Sequence, residues 1–379
     1  MLAYVFPGQG SQSRGMGEGL FERYPDLTSK ADEVLGYSIR ELCLEDPRRE
    51  LNKTQFTQPA LFVVNALSYL SKREDTGKTP DFVAGHSLGE FNALLASGCF
   101  DFETGLKLVK KRGELMSDAP KGGMAAILNS SKDDIEKTLK ENNLINIDIA
   151  NYNTGSQIVI SGPIADIGKA QSFFQGGKVM YYPLNTSGAF HSRYMEPVRE
   201  KFKAYLNSFT FSGLEIPVIS NVTALPYSAE QVVENLSNQI SSCVLWSDSV
   251  RYLIEESRRS GESILIEEVG HGDVLTKIVS RIMDEVGYSR PQDDVQKMMS
   301  KVNGENKTEN IIIKETSDVG EKVKLWNSRH PVGTKVKSLI MDGDDLETRT
   351  EAMVLFGHRA VVYMKGYNGY FDLNEIDAL

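Results

Sequence analysis

The chemistry most legible in this chain lies in Gly85-His86-Ser87-Leu88-Gly89. These residues fit the pattern G-x-S-x-G, and their flanks give the pattern mechanical meaning. Asp81-Phe82-Val83-Ala84, just before it, is short and apolar enough for a buried strand. Residues 90–98, just after it, are rich in Ala and Leu and end on Gly98, as a helix would. Strand, tight turn and helix make a nucleophile elbow, where small residues flank a serine held in a strained turn. Such a turn sets the Ser87 hydroxyl at a helix N-terminus, where backbone N–H groups face any oxyanion that forms. The same five letters could arise by chance in a Gly-rich chain, and it is the strand and helix around them that favour the elbow.

A serine hydroxyl is a weak nucleophile until a base takes its proton. Five histidines are available: His86, His191, His271, His330 and His358. His86 adjoins Ser87, and neighbours on an elbow point apart. His330 and His358 lie near the C-terminal end and read as surface residues. His191 sits in Ser187-Gly188-Ala189-Phe190-His191-Ser192, where small residues suit a tight loop lining a cleft, and it is the candidate base. An α/β-hydrolase places its histidine late, after the acid. Here much of the domain still follows His191, and no acid between Ser87 and His191 stands out as a third member. The order points to a serine enzyme outside the ordinary hydrolase arrangement.

The elements that must position these residues follow from length and pattern. A chain of 379 residues predicts two or three domains. Its 40% hydrophobic and 25% charged content is that of an ordinary globular protein. A net charge of -10 argues against nucleic acid as a partner. The apolar runs fall far short of the roughly 20 residues a membrane span needs. The opening Met1-Leu2-Ala3-Tyr4-Val5-Phe6 lacks the charged region of a signal peptide. Cys43, Cys99 and Cys243 are widely spaced, form no zinc or redox pattern and suit a reducing cytoplasm.

A first strand at 2–6 ends in the Gly-rich loop Pro7-Gly8-Gln9-Gly10-Ser11-Gln12, which lacks any phosphate-binding fingerprint. Helices are expected at 58–73 and 102–116. Strand 124–128, helix 133–142, strands 146–151 and 157–162, helix 165–174 and strand 179–184 follow the order of a ferredoxin-like unit. Helix 196–207, strand 218–222, helix 247–259 and a buried strand at 263–267 complete the pattern. The fold expected is α/β: an α/β-hydrolase-like main domain (1–120 and 192–287) interrupted by a small ferredoxin-like subdomain (121–191). A polar linker is expected at 288–321. A small Src-homology-3-like β-barrel is expected at 322–379, with strands near 332–336, 348–354, 360–364 and 370–373.

Phe6-Pro7-Gly8-Gln9-Gly10-Ser11-Gln12, Thr57-Gln58-Pro59-Ala60-Leu61, the Ser87 motif extended to Glu90, Arg112-Gly113-Glu114-Leu115-Met116, Ala189-Phe190-His191-Ser192 and Glu268-Val269-Gly270 occur in this order. Over roughly residues 1–285 this set resembles the malonyl-CoA:acyl carrier protein transacylase family. With its added C-terminal module the chain is most similar to discrete acyltransferases that serve polyketide synthases in trans. The resemblance implies Ser87 as nucleophile, His191 as general base, and the backbone N–H groups of Gln9 and Leu88 as oxyanion hole. It implies that Arg112 meets a malonyl carboxylate through two parallel hydrogen bonds. On a plain reading Arg112, close behind Lys107, Lys110 and Lys111, belongs to a solvated helix face, and the Arg-Gly-x-x-Met context is what gives it a role. Gln58 matches a polar residue of the cleft. In the polyketide acyltransferases that the chain resembles, a phenylalanine at the position of Phe190 goes with malonyl rather than methylmalonyl, because its ring crowds an α-methyl group. The histidine's third partner in this family is a backbone carbonyl, and Gln239 matches its position, which accounts for the missing acid. The family often carries Gly-Pro-Gly where this chain has Gly270-His271-Gly272, so His271 reads as a loop residue near the cleft.

The implied reaction is a ping-pong transfer of malonyl from malonyl-CoA, through Ser87, to the phosphopantetheine thiol of a holo acyl carrier protein. It needs no metal or bound cofactor, and it would serve polyketide or fatty acid synthesis, with a polyketide synthase complex as an expected partner. Neither nucleic acid nor membrane is an expected partner, and the expected location is cytoplasmic. Carrier proteins are typically acidic, and Arg193, Arg199, Lys201 and Lys203 are candidates for a basic docking patch, with a solvated helix as the alternative. One rival is an acyl hydrolase that clears stalled acyl chains from carrier proteins with water as acceptor; a buried cation at Arg112 would be of no use to it. Another is a non-catalytic docking protein that works through its C-terminal module.

Overall fold

Strand β1 (Leu2–Phe6) is short and apolar, and Ala3, Tyr4, Val5 and Phe6 are fully buried. The computed structural model describes residues 1–288, 316–338, 346–355, 359–365, 370–373 and 376–378. After β1 come α1 (Leu20–Arg23), α2 (Pro25–Leu35), α3 (Ile39–Leu44), the long α4 (Thr54–Thr76), β2 (Phe82–Gly85), α5 (Gly89–Ala96) and α6 (Phe102–Ser117). Then follow β3 (Gly123–Leu128), α7 (Lys132–Glu141), β4 (Asp148–Thr154), β5 (Gln157–Gly162), α8 (Ile164–Ala170) and β6 (Met180–Pro183). Helix α9 (Glu196–Leu206), β7 (Val218–Ile219), α10 (Val232–Asn238), α11 (Trp246–Ser260), β8 (Leu265–Glu268) and α12 (Val274–Glu285) complete the larger unit.

The first sheet has the order β7-β2-β1-β8, and each neighbouring pair runs parallel. Phe6 of β1 lies level with Gly85 of β2, so the two strands end together and their loops leave the sheet side by side. The carboxyl ends of parallel strands are where α/β folds place their sites. One face is packed by α11 and α12 through Trp246, Val250, Leu253, Ile278 and Ile282. The second sheet, β4-β5-β3-β6, pairs β5 antiparallel to β3 and to β4 and has its own core around Ile127, Ile135, Ile158, Ile160 and Ile167.

Helix starts follow local chemistry. The Asp101 side chain caps α6 by accepting from Thr104 N–H, and the Ser131 hydroxyl caps α7 by accepting from Asp134 N–H. Helix α4 begins at Thr54, four residues before the expected start at 58, and carries Pro59 inside it. The proline lies in the second turn, where one missing N–H is tolerated, whereas the sequence pattern reads it as a beginning. The strand expected to be buried at 263–267 is only half so: Ile264 is in the core, but among the described residues β8 is an edge strand paired with β1, and Leu265 is 49% exposed. The strand expected at 218–222 shortens to Val218–Ile219, because the chain turns away at Ser220 and Asn221 to reach the site.

The C-terminal unit contains α13 (Thr316–Arg329), β9 (Lys335–Ser338), β10 (Leu346–Glu347), β11 (Met353–Leu355), β12 (Arg359–Tyr363), β13 (Tyr370–Asp372) and β14 (Ile376–Ala378). The linker expected to reach 321 is therefore helical from Thr316; the rest of it, and His358, lie outside the described residues. Val319, Val323 and Trp326, spaced four and three apart, lay one face of α13 on Val336, Val362, Met364 and Phe371. Trp326 thus belongs to a helix, not to the β region in which the sequence pattern places it. Two antiparallel three-stranded sheets form, β10-β9-β14 and β11-β12-β13.

Candidate active site

Ser87 leaves the end of β2 with φ of 51°, a left-handed conformation that an L-residue adopts only under constraint. The flanking glycines are what make it possible. A Cβ on Gly85 would lie 1.9 Å from the Gly89 carbonyl carbon, and one on Gly89 would lie 2.0 Å from Phe6 O. The elbow is thereby pressed against the loop that follows β1. Asn221, just past β7, braces it: its Oδ1 accepts from Ser87 N–H at 2.7 Å and its Nδ2 donates to Gly85 O at 2.6 Å.

His191 also has a left-handed backbone, with φ of 57°, and is buried. Its Nε2 lies 2.8 Å from Ser87 Oγ, and its Nδ1 lies 2.8 Å from the Gln239 main-chain oxygen. A carbonyl can only accept, so Nδ1 carries the hydrogen and Nε2 presents its lone pair to the serine hydroxyl. Burial first, and then the nearby Arg112 charge, press the imidazole pKa down to about 3, against the hydrogen bond to Gln239 that raises it. The ring is neutral at physiological pH.

Arg112 comes from the face of α6 turned inward and is 1% exposed, unlike Lys107 and Lys111, which are paired to acids at the surface. Its Nη1 donates to Gln58 Oε1 at 2.8 Å; its Nη2 donates to Gln239 Oε1 at 2.7 Å and to Ser87 Oγ at 3.1 Å. Among the described residues its Nε is buried without a hydrogen-bond partner. The guanidinium lies over the Phe91 ring, 5.7 Å from its centre. Burial brings its pKa down to about 10, with Glu90 opposing, so it stays charged at neutral pH.

The sequence pattern gives no acid a role here, yet Glu90 is fully buried beside the motif. Its Oε1 accepts from Asn221 N–H and from the Tyr227 hydroxyl, each at 2.8 Å, and its Oε2 accepts from Gln239 Nε2. Burial lifts its pKa to about 7 against these hydrogen bonds and Arg112. The sequence pattern names Glu90 only as the end of the serine motif and gives it no role, and it gives none to Asn221, Tyr227 or the side chain of Gln239. The one available signal is an acid on the mostly apolar α5.

Among the described residues neither Leu88 N–H nor Gln9 N–H meets an acceptor. Leu88 is the N-cap of α5, and Gln9 lies in the loop against the elbow. Gln58 lies on α4 and its Nε2 reaches Met116 Sδ at 3.2 Å. Phe190 is buried beside His191. His86 points away, to Asn153 Oδ1 at 2.8 Å and to the Trp246 ring. His271 binds Ser13 Oγ at 2.7 Å and so ties the turn after β8 to the loop after β1. His330 packs on Trp326. The basic patch expected after His191 is largely neutralised: Arg193 pairs with Asp148, Arg199 with Glu196 and Glu200, and Lys203 with Glu234.

The arrangement offers an activated serine, two open N–H donors and a buried cation against the nucleophile. Comparison with known proteins bears on this chemistry. The acyl transferase domain model matches residues 3–313. The polyketide biosynthesis malonyl CoA-acyl carrier protein transacylase PksC of Bacillus subtilis (strain 168) is 56% identical over 284 residues, 74% of this chain and 97% of that protein. The polyketide biosynthesis protein PksE of the same organism is 54% identical over 75% of this chain, which spans only 37% of its length. A crystal structure of malonyl CoA-acyl carrier protein transacylase from Burkholderia pseudomallei matches with a TM-score of 0.74 and 59% identity, covering 75% of this chain and 98% of that one.

Proposed function

Because the chain belongs to the acyl transferase domain family, we propose that it moves a malonyl group from malonyl-CoA to the phosphopantetheine thiol of an acyl carrier protein, for polyketide synthesis. The observation that carries this reading is the contact between Arg112 Nη2 and Ser87 Oγ. A buried guanidinium against the nucleophile selects an acyl group that bears its own carboxylate.

Ser87 attacks the thioester carbonyl while His191 Nε2 takes its proton, a geometry supported by the 2.8 Å separation. The Gln239 carbonyl holds Nδ1–H and steadies the imidazolium that forms. The N–H groups of Gln9 and Leu88 receive the oxyanion. Coenzyme A leaves as thiol, taking the proton back from His191. The malonyl carboxylate stays on Arg112, with Gln58 holding Nη1. The carrier-protein thiol then attacks malonyl-Ser87 by the same route. Phe190 crowds an α-methyl group and favours malonyl over methylmalonyl.

The strand order β4-β5-β3-β6 with α7 and α8 supports a ferredoxin-like subdomain inserted into an α/β-hydrolase-like main domain. The two small sheets of the C-terminal unit, linked by the bridge from Thr348 to Met364, support a Src-homology-3-like barrel extended by α13. Among the described residues no helix is long and apolar enough to cross a membrane. Three unpaired cysteines and a coenzyme A thioester as substrate favour a cytoplasmic location.

Incubation with malonyl-, methylmalonyl- and acetyl-CoA, followed by intact-mass measurement, tests the reading. A malonyl adduct that is absent in Ser87→Ala and passes to holo carrier protein is the expected result. Hydrolysis outrunning transfer would favour the acyl hydrolase instead.

A further inference from the structure

Glu90 follows the serine motif by one residue and has no exposed surface, among the apolar residues of α5. A buried acid persists where donors match its oxygens. Here Oε1 takes Asn221 N–H and the Tyr227 hydroxyl, and Oε2 takes Gln239 Nε2. The same Nε2 donates to Ser87 O at 2.8 Å. Both amino hydrogens of Gln239 are therefore committed. Only its carbonyl oxygen remains to face Arg112, where it accepts from Nη2 at 2.7 Å. Flipped, the amide would turn its NH2 toward a guanidinium and its oxygen toward a carboxylate and a carbonyl.

The two protein oxygens that hold the terminal nitrogens of Arg112 from the side are thus neutral amides, those of Gln58 and Gln239. The nearby negative charge stands one amide away, on Glu90. A carboxylate placed directly on Arg112 would satisfy the cation and compete with an arriving one. An interposed amide transmits orientation and leaves the charge for the ligand.

We infer that Glu90 is a positioning residue for acyl specificity: through the Gln239 carboxamide it holds the Arg112 guanidinium where the malonyl carboxylate is received. This rests on the reading of Arg112 given above. Glu90→Gln is nearly isosteric and keeps an acceptor for Asn221 and Tyr227, but it sets an amino group against that of Gln239.

The test compares kcat/KM for acylation by malonyl-CoA and by acetyl-CoA, at about pH 8 so that Glu90 is ionised. The proteins are the wild type, Glu90→Gln, Arg112→Ala and the double variant. Glu90→Gln is expected to lower the malonyl-to-acetyl ratio by about tenfold or more, mainly through the malonyl KM. In the double variant the ratio equals that of Arg112→Ala alone, because Glu90 has nothing left to position. An unchanged ratio in Glu90→Gln, or losses that multiply in the double variant, overturns the inference. If Arg112→Ala itself keeps its malonyl preference, the reading of Arg112 fails and the inference falls with it. Thermal unfolding checks that Glu90→Gln is folded. If it is not, Gln239→Met decides, since it keeps the main-chain carbonyl on His191 and removes the amide: the same fall in ratio supports the inference and an unchanged ratio overturns it.

Discussion

Arg112 Nη2 and His191 Nε2 both meet Ser87 Oγ, at 3.1 and 2.8 Å, so one oxygen accepts from a cation and donates to a neutral base. Under the proposed function, recognition of a carboxylate and activation of the nucleophile would be built on the same atom, and a malonyl group held by Arg112 would bring its thioester carbon toward Oγ.

Arg112→Ala is expected to cost malonyl acylation about a hundredfold in kcat/KM, since two charge-assisted hydrogen bonds to the substrate are lost. Acetyl loading should fall much less or rise. Intact-mass measurement after brief exposure to each thioester checks both. A variant that still prefers malonyl would remove Arg112 from its role.

His191 should remain a competent base far below the ordinary histidine range, because its folded pKa is about 3 against 6.5 when free. The rate of acylation is expected to show no loss near pH 6.5 on the acid side. In Arg112→Ala the acid limb should move upward in pH, since a neighbouring positive charge is gone. The same shift bears on stability. Between about 3 and 6.5 the unfolded chain binds a proton at this site and the folded chain does not. The contribution is thus fully present above 6.5 and is lost as pH falls through that window. Thermal unfolding of His191→Gln against pH should show a shallower decline there than the wild type.

Glu90 has the opposite sign. Its folded pKa is lifted from 4.5 to about 7, so the folded chain holds the extra proton within that window. Its contribution is present below 4.5 and is lost as pH rises through 7. In Glu90→Gln the unfolding midpoint should fall less from pH 4.5 to 7 than it does in the wild type; an identical pH course would count against the raised value.

Gly89→Ala should be among the most damaging single changes. The added methyl carbon would lie 2.0 Å from Phe6 O and 2.7 Å from Phe6 C, both main-chain atoms. Either the end of β1 or the start of α5 must move. A loss of about 3 kcal/mol or more is expected in urea unfolding, together with loss of Ser87 acylation.

Truncation after Tyr288 should leave acylation intact. The larger unit has its own cores, and the 56%-identical relative is spanned over 97% of its length by 284 residues of this chain. Rates of Ser87 malonylation within about twofold of the full chain are expected. Transfer rates to carrier proteins, compared between the two forms, then isolate what the C-terminal unit adds.

The sequence by itself determined the elbow, because its requirements are local: an apolar strand, a serine between small residues and a helix behind it. His191 and Arg112 were legible through short motifs, and the alternating strands and helices of residues 123–183 through their periodicity. Helix α13 is not legible in the sequence because its apolar stripe, Val319, Val323 and Trp326, is diluted by charge. Pro59 misplaced the start of α4, and β8 read as buried because a sequence does not say which strand stands at an edge. Only the tertiary structure decided how Glu90, Asn221, Tyr227 and Gln239 meet. Their hydrogen bonds span more than 130 positions of chain and leave no periodic trace. The physical reason is burial: a polar side chain out of water must find its partners wherever the fold brings them, and no rule of spacing records that encounter.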